Sequence, residues 1–180
     1  MNRHVAALAV AGSLVLCGCT FSSVRPESQS LVATKSYTVA IVGPVTGTDV
    51  LWNSYAIEMR RQLITALRES HVFTQVLDET PAAPPPQSAY VTAQIIDVHK
   101  GSAVARVLVG FGAGRAYMTA DVQVKDPSGA QLYEAAVKKT YAGGLGIGGA
   151  GLVDMDDMSQ KLGDETAVAI EKWTGVASAR

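Results

Sequence analysis

The sequence predicts an α+β domain with two helices packed on one face of a mixed sheet of about five strands, in the order β-α-β-β-β-β-α. Three observations carry this reading. Residues 115–126 alternate with a period of two, and a turn and a second strand-like run follow them. Two segments, 50–69 and 154–173, repeat apolar residues at helical spacing. The first of these helices lies between two β-branched apolar runs, as a parallel crossover requires.

Tyr37-Thr-Val-Ala-Ile-Val-Gly43 alternates, then runs apolar, and Gly43-Pro44 closes it as the first strand. Thr48 or Asp49 can cap the helix that follows, whose stripe is Leu51, Tyr55, Met59, Leu63 and Ala66 or Leu67. Arg60, Arg61 and Arg68 fall mostly on other faces. Phe73 to Leu77 is a short second strand. Pro81, Pro84, Pro85 and Pro86 then make residues 80–87 an exposed, stiff connection that cannot join a central strand. Tyr90 to Val98 is the third strand, with Val91, Ala93, Ile95 and Ile96 as inward candidates. In the fourth, Ala116, Met118, Ala120, Val122 and Val124 share one face, and Tyr117, Thr119, Asp121, Gln123 and Lys125 the other. Asp126-Pro-Ser-Gly129 is a turn in which Pro presets φ and Gly accepts a positive φ, and Gln131 to Tyr141 returns antiparallel. The last helix carries the stripe Met155, Met158, Leu162, Thr166, Ala169 or Ile170, and Trp173. Its start is rich in carboxylates (Asp154, Asp156, Asp157), which the helix dipole favours there.

The N-terminus is of a different kind. Arg3 and His4 precede an almost unbroken apolar run, Val5 to Leu16. At about a dozen residues it suits a secretory signal and is too short to span ~30 Å of hydrocarbon as a helix. The run ends in Leu16-Cys17-Gly18-Cys19, which resembles the lipobox of bacterial lipoproteins. Cys17 departs from the usual Ala, Ser or Thr but is small. Cleavage before Cys17 itself would place the bulky Leu16 at the cut. The resemblance implies a signal peptide over 1–18 and, on Cys19, a thioether-linked diacylglycerol and, in many bacteria, an N-linked acyl chain of the palmitate type. Thr20, in place of Asp, implies sorting to the outer membrane, with the protein facing the periplasm. Two or more acyl chains make attachment stable, at roughly 0.8 kcal/mol per buried methylene. Ser-rich residues 19–35 read as the lipidated Cys and a flexible tether reaching roughly 20 Å. A single domain over 36–175 and a tail over 176–180 complete the organisation.

Length and composition agree with one globular domain: 180 residues, 48% hydrophobic. Formal net charge is −1 and the cations are scattered, so no nucleic-acid footprint exists. Both cysteines, Cys17 and Cys19, precede the domain, which rules out a disulfide framework or a cysteine metal site within it.

Two glycine-rich stretches, around Gly110-Phe111-Gly112-Ala-Gly114-Arg115 and Gly144-Leu-Gly146-Ile-Gly148, are the candidate interaction loops. Neither has the spacing of a dinucleotide fingerprint nor the Gly-Lys-Ser/Thr ending of a P-loop. Gly110 with Gly114, and Gly144 with Gly148, have the spacing of close-packed membrane helices, but neither stretch approaches twenty apolar residues. Glycines that permit turns and close backbone approach explain both better. The hairpin places the two stretches at one end of the sheet. His71 and His99 are isolated, and Asp154-Met-Asp156-Asp157 lacks the Gly and Glu of a calcium loop. No nucleophile elbow is present. The expectation is therefore no catalytic residue, no metal and no cofactor: a non-enzymatic interaction or envelope-structural module, with the membrane and an envelope protein as partners. A small-ligand protein or enzyme with a pocket near the Gly-rich loops, and a subunit of an oligomeric envelope assembly, are the alternatives.

The segment Arg106-Val-Leu-Val-Gly-Phe-Gly-Ala-Gly-Arg-Ala116, its alternating strand and Asp126-Pro-Ser-Gly129 resemble a bacterial lipoprotein family known as domain of unknown function 4410. The likeness spans roughly Tyr37 to Thr174 and implies a small periplasmic α/β domain. It assigns no reaction and no catalytic residues.

Overall fold

The computed structural model describes residues 19–29, 37–102, 114–142 and 153–175. Six strands form one sheet in the spatial order β1-β6-β5-β4-β2-β3. They are β1 (Cys19–Gln29), β2 (Val39–Gly47), β3 (Gln75–Leu77), β4 (Ser88–His99), β5 (Ala116–Lys125) and β6 (Gln131–Ala142). The helices are α1 (Asn53–Ser70) and α2 (Met155–Thr174). β2 runs parallel to β3 and β4, and the other pairs are antiparallel, so the sheet is mixed as predicted.

The period of two in β5 does what alternation predicts. Ala116, Met118, Ala120, Val122 and Val124 are fully buried under the helices, and their neighbours face outward. Met59, Leu63 and Leu67 of α1 and Leu162 and Ile170 of α2 close the core from above. The helices approach closely at Gly163, where a Cβ would stand 2.7 Å from the Met59 carbonyl oxygen. Asp154 caps α2, accepting from the N–H groups of Asp156 and Asp157 at 2.9 and 3.3 Å. In the β5–β6 turn, Asp126 accepts from the N–H groups of Ser128 and Ala130 at 2.8 and 2.9 Å, and Gly129 adopts φ 88°.

Four features differ from the sequence reading. The stretch read as a tether contains a strand: Cys19–Gln29 pairs with β6 in continuous register from Cys19↔Ala142 to Pro26↔Ala135, with a bulge before Ser28. Its sequence hid it because an edge strand buries little; only Ser22 and Val24 of residues 21–27 are even half-buried. β2 does not stop at Gly43-Pro44. It continues to Gly47 past a bulge between Val42 and Val45, which accommodates a proline that cannot donate to the ladder. Residues Val50–Trp52 form a separate 3-10 turn capped by Asp49 rather than the start of α1. The helical phase is therefore broken ahead of Asn53, and Leu51, read as part of the stripe, is 76% exposed. Ile96 is also exposed, because it occupies the bulge between Ile95 and Asp97.

Candidate functional site

Both helices lie on one face, so the opposite face of the sheet has no covering element among the described residues. Strand directions define its two ends. β1 and β5 begin, and β2, β4 and β6 finish, at the end that carries Cys19.

Cys19, the expected acylation site, opens β1 opposite Ala142, the last residue of β6. Ala116 opens β5 opposite Tyr141, and the Ser102 N–H donates to the Gly114 carbonyl at 3.2 Å. The flanks of both glycine-rich stretches and the expected anchor residue thus meet at one end of the sheet. Gly114, at φ 67°, and Arg115 are at that junction. Gly110, Phe111, Gly112, Gly144, Gly146 and Gly148 lie outside the described residues.

Cross-strand register builds a continuous row at this end: His99 on β4, Tyr117 on β5, Thr140 on β6 and Phe21 on β1. The His99 and Tyr117 rings stack with centroids 5.3 Å apart. The Lys138 ammonium sits 3.7 Å from the Tyr117 ring centre, and the Arg115 guanidinium 5.6 Å from that of Phe21. A hydrogen bond to Asp97, with the charge of that carboxylate, raises the Tyr117 hydroxyl above its ordinary pKa. Sequence reasoning missed this row as a unit. The period of two puts Tyr117 on the polar face, but Phe21 falls in the segment that reads as a tether and His99 stands alone in the sequence.

Further along the same face, Pro44, Thr46, Thr92, Gln94, Asp121 and Gln123 line an open furrow of about 280 Å³. Burial raises the Asp121 carboxyl pKa first, the charges of Glu27 and Glu134 raise it further, and Arg25 offsets part of this. The furrow is mid-face, away from the junction of the glycine-rich flanks. A second depression of about 350 Å³ runs beside α1 between Ile57, Arg60, Arg61 and Arg68. Arg60 donates there to the carbonyls of Val42, Gly43 and Asp78, so its charge holds the β2 bulge. Among the described residues, no group of three His, Cys, Asp or Glu side chains could hold a metal ion. No described helix is long and apolar enough to cross a membrane.

Behind the face, Lys139 projects toward the helices. Its ammonium donates to Ser22 Oγ at 2.9 Å and to Glu165 Oε1 at 2.8 Å, tying β1, β6 and α2 together. Burial pushes the Glu165 carboxyl up, but hydrogen bonds from Lys139 and Ser22 and the charges of Lys139 and Lys172 outweigh it and leave the pKa low.

The family model described as "Domain of unknown function (DUF4410)" matches residues 53–144, which run from the first turn of α1 past the end of β6. The chain belongs to this family. The match takes in the whole helix–sheet unit except β1, β2 and α2. Two solved structures of PelC from Paraburkholderia phytofirmans, both dodecamers, share the fold beyond those limits. One is 14% identical, with a TM-score of 0.54 over 89% of this chain and 99% of that one. The other, a leucine-to-methionine variant, is 13% identical, with a TM-score of 0.52 over 83% and 96%. No curated protein matches this family member.

Proposed function

We propose that the protein is a non-enzymatic component of the cell envelope, held to a membrane through acylated Cys19 and assembled with further copies of itself. Outer-membrane attachment with the domain facing the periplasm follows from the signal-like N-terminus and Thr20. The observation that carries the assembly reading is the fold shared with dodecameric PelC over 89% of this chain. An interaction module also fits the open face better than an enzyme does. Its furrow of about 280 Å³ is open to solvent rather than enclosed, whereas small-molecule sites bury most of their ligand. Both sheet edges, β1 and β3, are free to pair with another chain among the described residues.

Crosslinking in intact cells, followed by native mass measurement of the detergent-extracted protein, tests this. The expected result is a discrete species larger than a dimer, containing this chain alone or with one recurring envelope partner. A protein that stays monomeric and recovers no partner would refute the proposal.

A further inference from the structure

We infer that the Cys19 end of the domain rests on the bilayer itself, with Phe21 and the Val50-Leu51 turn as its two apolar contacts. This deepens the anchor reading and rests on it in one respect: the acylated residue is Cys19. Large exposed hydrophobic side chains among the described residues are Phe21, Val50, Leu51, Ile57 and Ile96. Four of the five lie toward the Cys19 end. Phe21 is two residues into β1, Ile96 is in the bulge near the end of β4, and Val50 and Leu51 follow the finish of β2. Ile57 continues from them one turn into α1. The opposite end, with the Asp126–Gly129 turn, has none among the described residues. Scattered exposed apolar residues need no explanation, but segregation to one end does.

The anchor makes a bilayer the occupant. Because β1 is paired from Cys19 onward, no slack separates the acylated residue from the sheet. A strand rises about 3.3 Å per residue, so Phe21 stands roughly 7 Å from Cys19 along β1. The headgroup layer is itself roughly 5–8 Å thick on each side of the hydrocarbon. Phe21 is therefore held within reach of that layer for as long as β1 stays paired, and Lys139, donating to Ser22 Oγ at 2.9 Å, helps keep it paired. The Val50-Leu51 turn lies four strands away, roughly 19 Å at about 4.8 Å per strand. It is 77% and 76% exposed at its two residues. A second apolar contact at that distance fixes the rotation of the domain about its anchor, with the strands oblique to the membrane plane. Charges at this end have both signs: Arg115, Lys138 and Asp97 on the open face, Asp49, Asp154, Asp156 and Asp157 on the helix side. Apolar contact rather than net charge therefore drives the docking, and zwitterionic lipid suffices. Arg115 and Lys138, poised over Phe21 and Tyr117, suit the headgroup phosphates.

The two tryptophans supply the test. Trp52 ends the Val50–Trp52 turn, whereas Trp173 is buried near the far end against Tyr133. The full chain, matured in a bacterial host, is reconstituted in phosphatidylcholine vesicles carrying bromine on the acyl chains, with Trp173→Phe leaving Trp52 as the only tryptophan. Mass measurement of the mature protein reads acylation of Cys19 separately. Bromolipid is expected to quench Trp52 in the acylated, vesicle-bound protein. Val50→Ser with Leu51→Ser is expected to restore the lipid-free intensity while the protein still floats with the vesicles. Both residues are exposed, and an unchanged thermal midpoint confirms that the variant folds. Unquenched Trp52 in acylated, floating protein overturns the inference and leaves the anchor standing. An unacylated mature chain removes the anchor alone. The surface is then decided by Trp52 quenching at excess lipid, whose absence overturns it. Val50→Ser that dissociates an oligomer without changing Trp52 quenching assigns the turn to a second copy and also overturns it.

Discussion

Removing the Glu165 carboxylate should loosen β1, the edge strand that opens at Cys19. Lys139 is 10% exposed at its side chain and Glu165 27%. Glu165→Leu would leave the ammonium nearly dry, with the Ser22 hydroxyl as its remaining partner among the described groups. Breaking a fully buried pair from one side costs roughly 3–5 kcal/mol. Because water already reaches Glu165, about 2–3 kcal/mol is the better figure here. For a domain of this size that lowers Tm by roughly 4–12 °C. Lys139→Met should cost less, about 1 kcal/mol, because the partly exposed Glu165 can rehydrate. The double variant Lys139→Met/Glu165→Leu should approach wild type, since exchanging a whole ion pair for apolar side chains is often neutral. Calorimetry and guanidinium unfolding of a soluble Cys19→Ser form measure all four corners of this cycle. Amide hydrogen exchange should show β1 loosening first in Glu165→Leu. The pH dependence has a definite sign. The folded pKa of Glu165 is depressed, so the pair stabilises fully above the unfolded value of about 4.5. That stability is lost as pH falls through the folded value. A Glu165→Leu Tm within about 1 °C of wild type, or single-site costs that simply add in the double variant, would refute the clamp.

Other outcomes follow from single contacts. Gly163→Val should cost about 1–3 kcal/mol by forcing α1 and α2 apart, since a Cβ meets the Met59 carbonyl at 2.7 Å; urea unfolding reads it. Asp154→Ala should cost about 1 kcal/mol by freeing the N–H groups of Asp156 and Asp157, whereas Asp154→Asn should hold near wild type in the same assay. Spectrophotometric titration should find Tyr117 above its ordinary pKa of about 10, and Asp97→Asn should bring it down. Gly129→Ala should destabilise by roughly 1 kcal/mol through backbone strain alone, as φ is 88° and nothing lies within 4 Å of the added carbon.

The residues explain which parts of the fold were legible. In β5 one face is buried under helices and the other faces water, so burial printed a period of two directly into the sequence. The same holds for the stripe from Met155 to Trp173, and for the Asp126–Gly129 turn, whose backbone demands named side chains. β1 left no such mark. It is an edge strand whose partner lies more than a hundred residues away, and its pairing rests on backbone groups that every residue owns. Leu51 misled for the opposite reason: its spacing was helical, but the Asp49 cap makes a separate turn that breaks the phase.

The sequence by itself determined the α+β class, the acidic start of α2, the hairpin turn and the buried faces of β5 and α2, because each depends on local backbone preference or on periodic burial. Only the tertiary structure decided that residues read as a tether are a strand. It also decided that Phe21, Tyr117 and His99 share one row, and that the exposed apolar side chains gather where Cys19 begins. Those facts depend on register between strands far apart in the chain, which packing fixes and which local sequence does not encode.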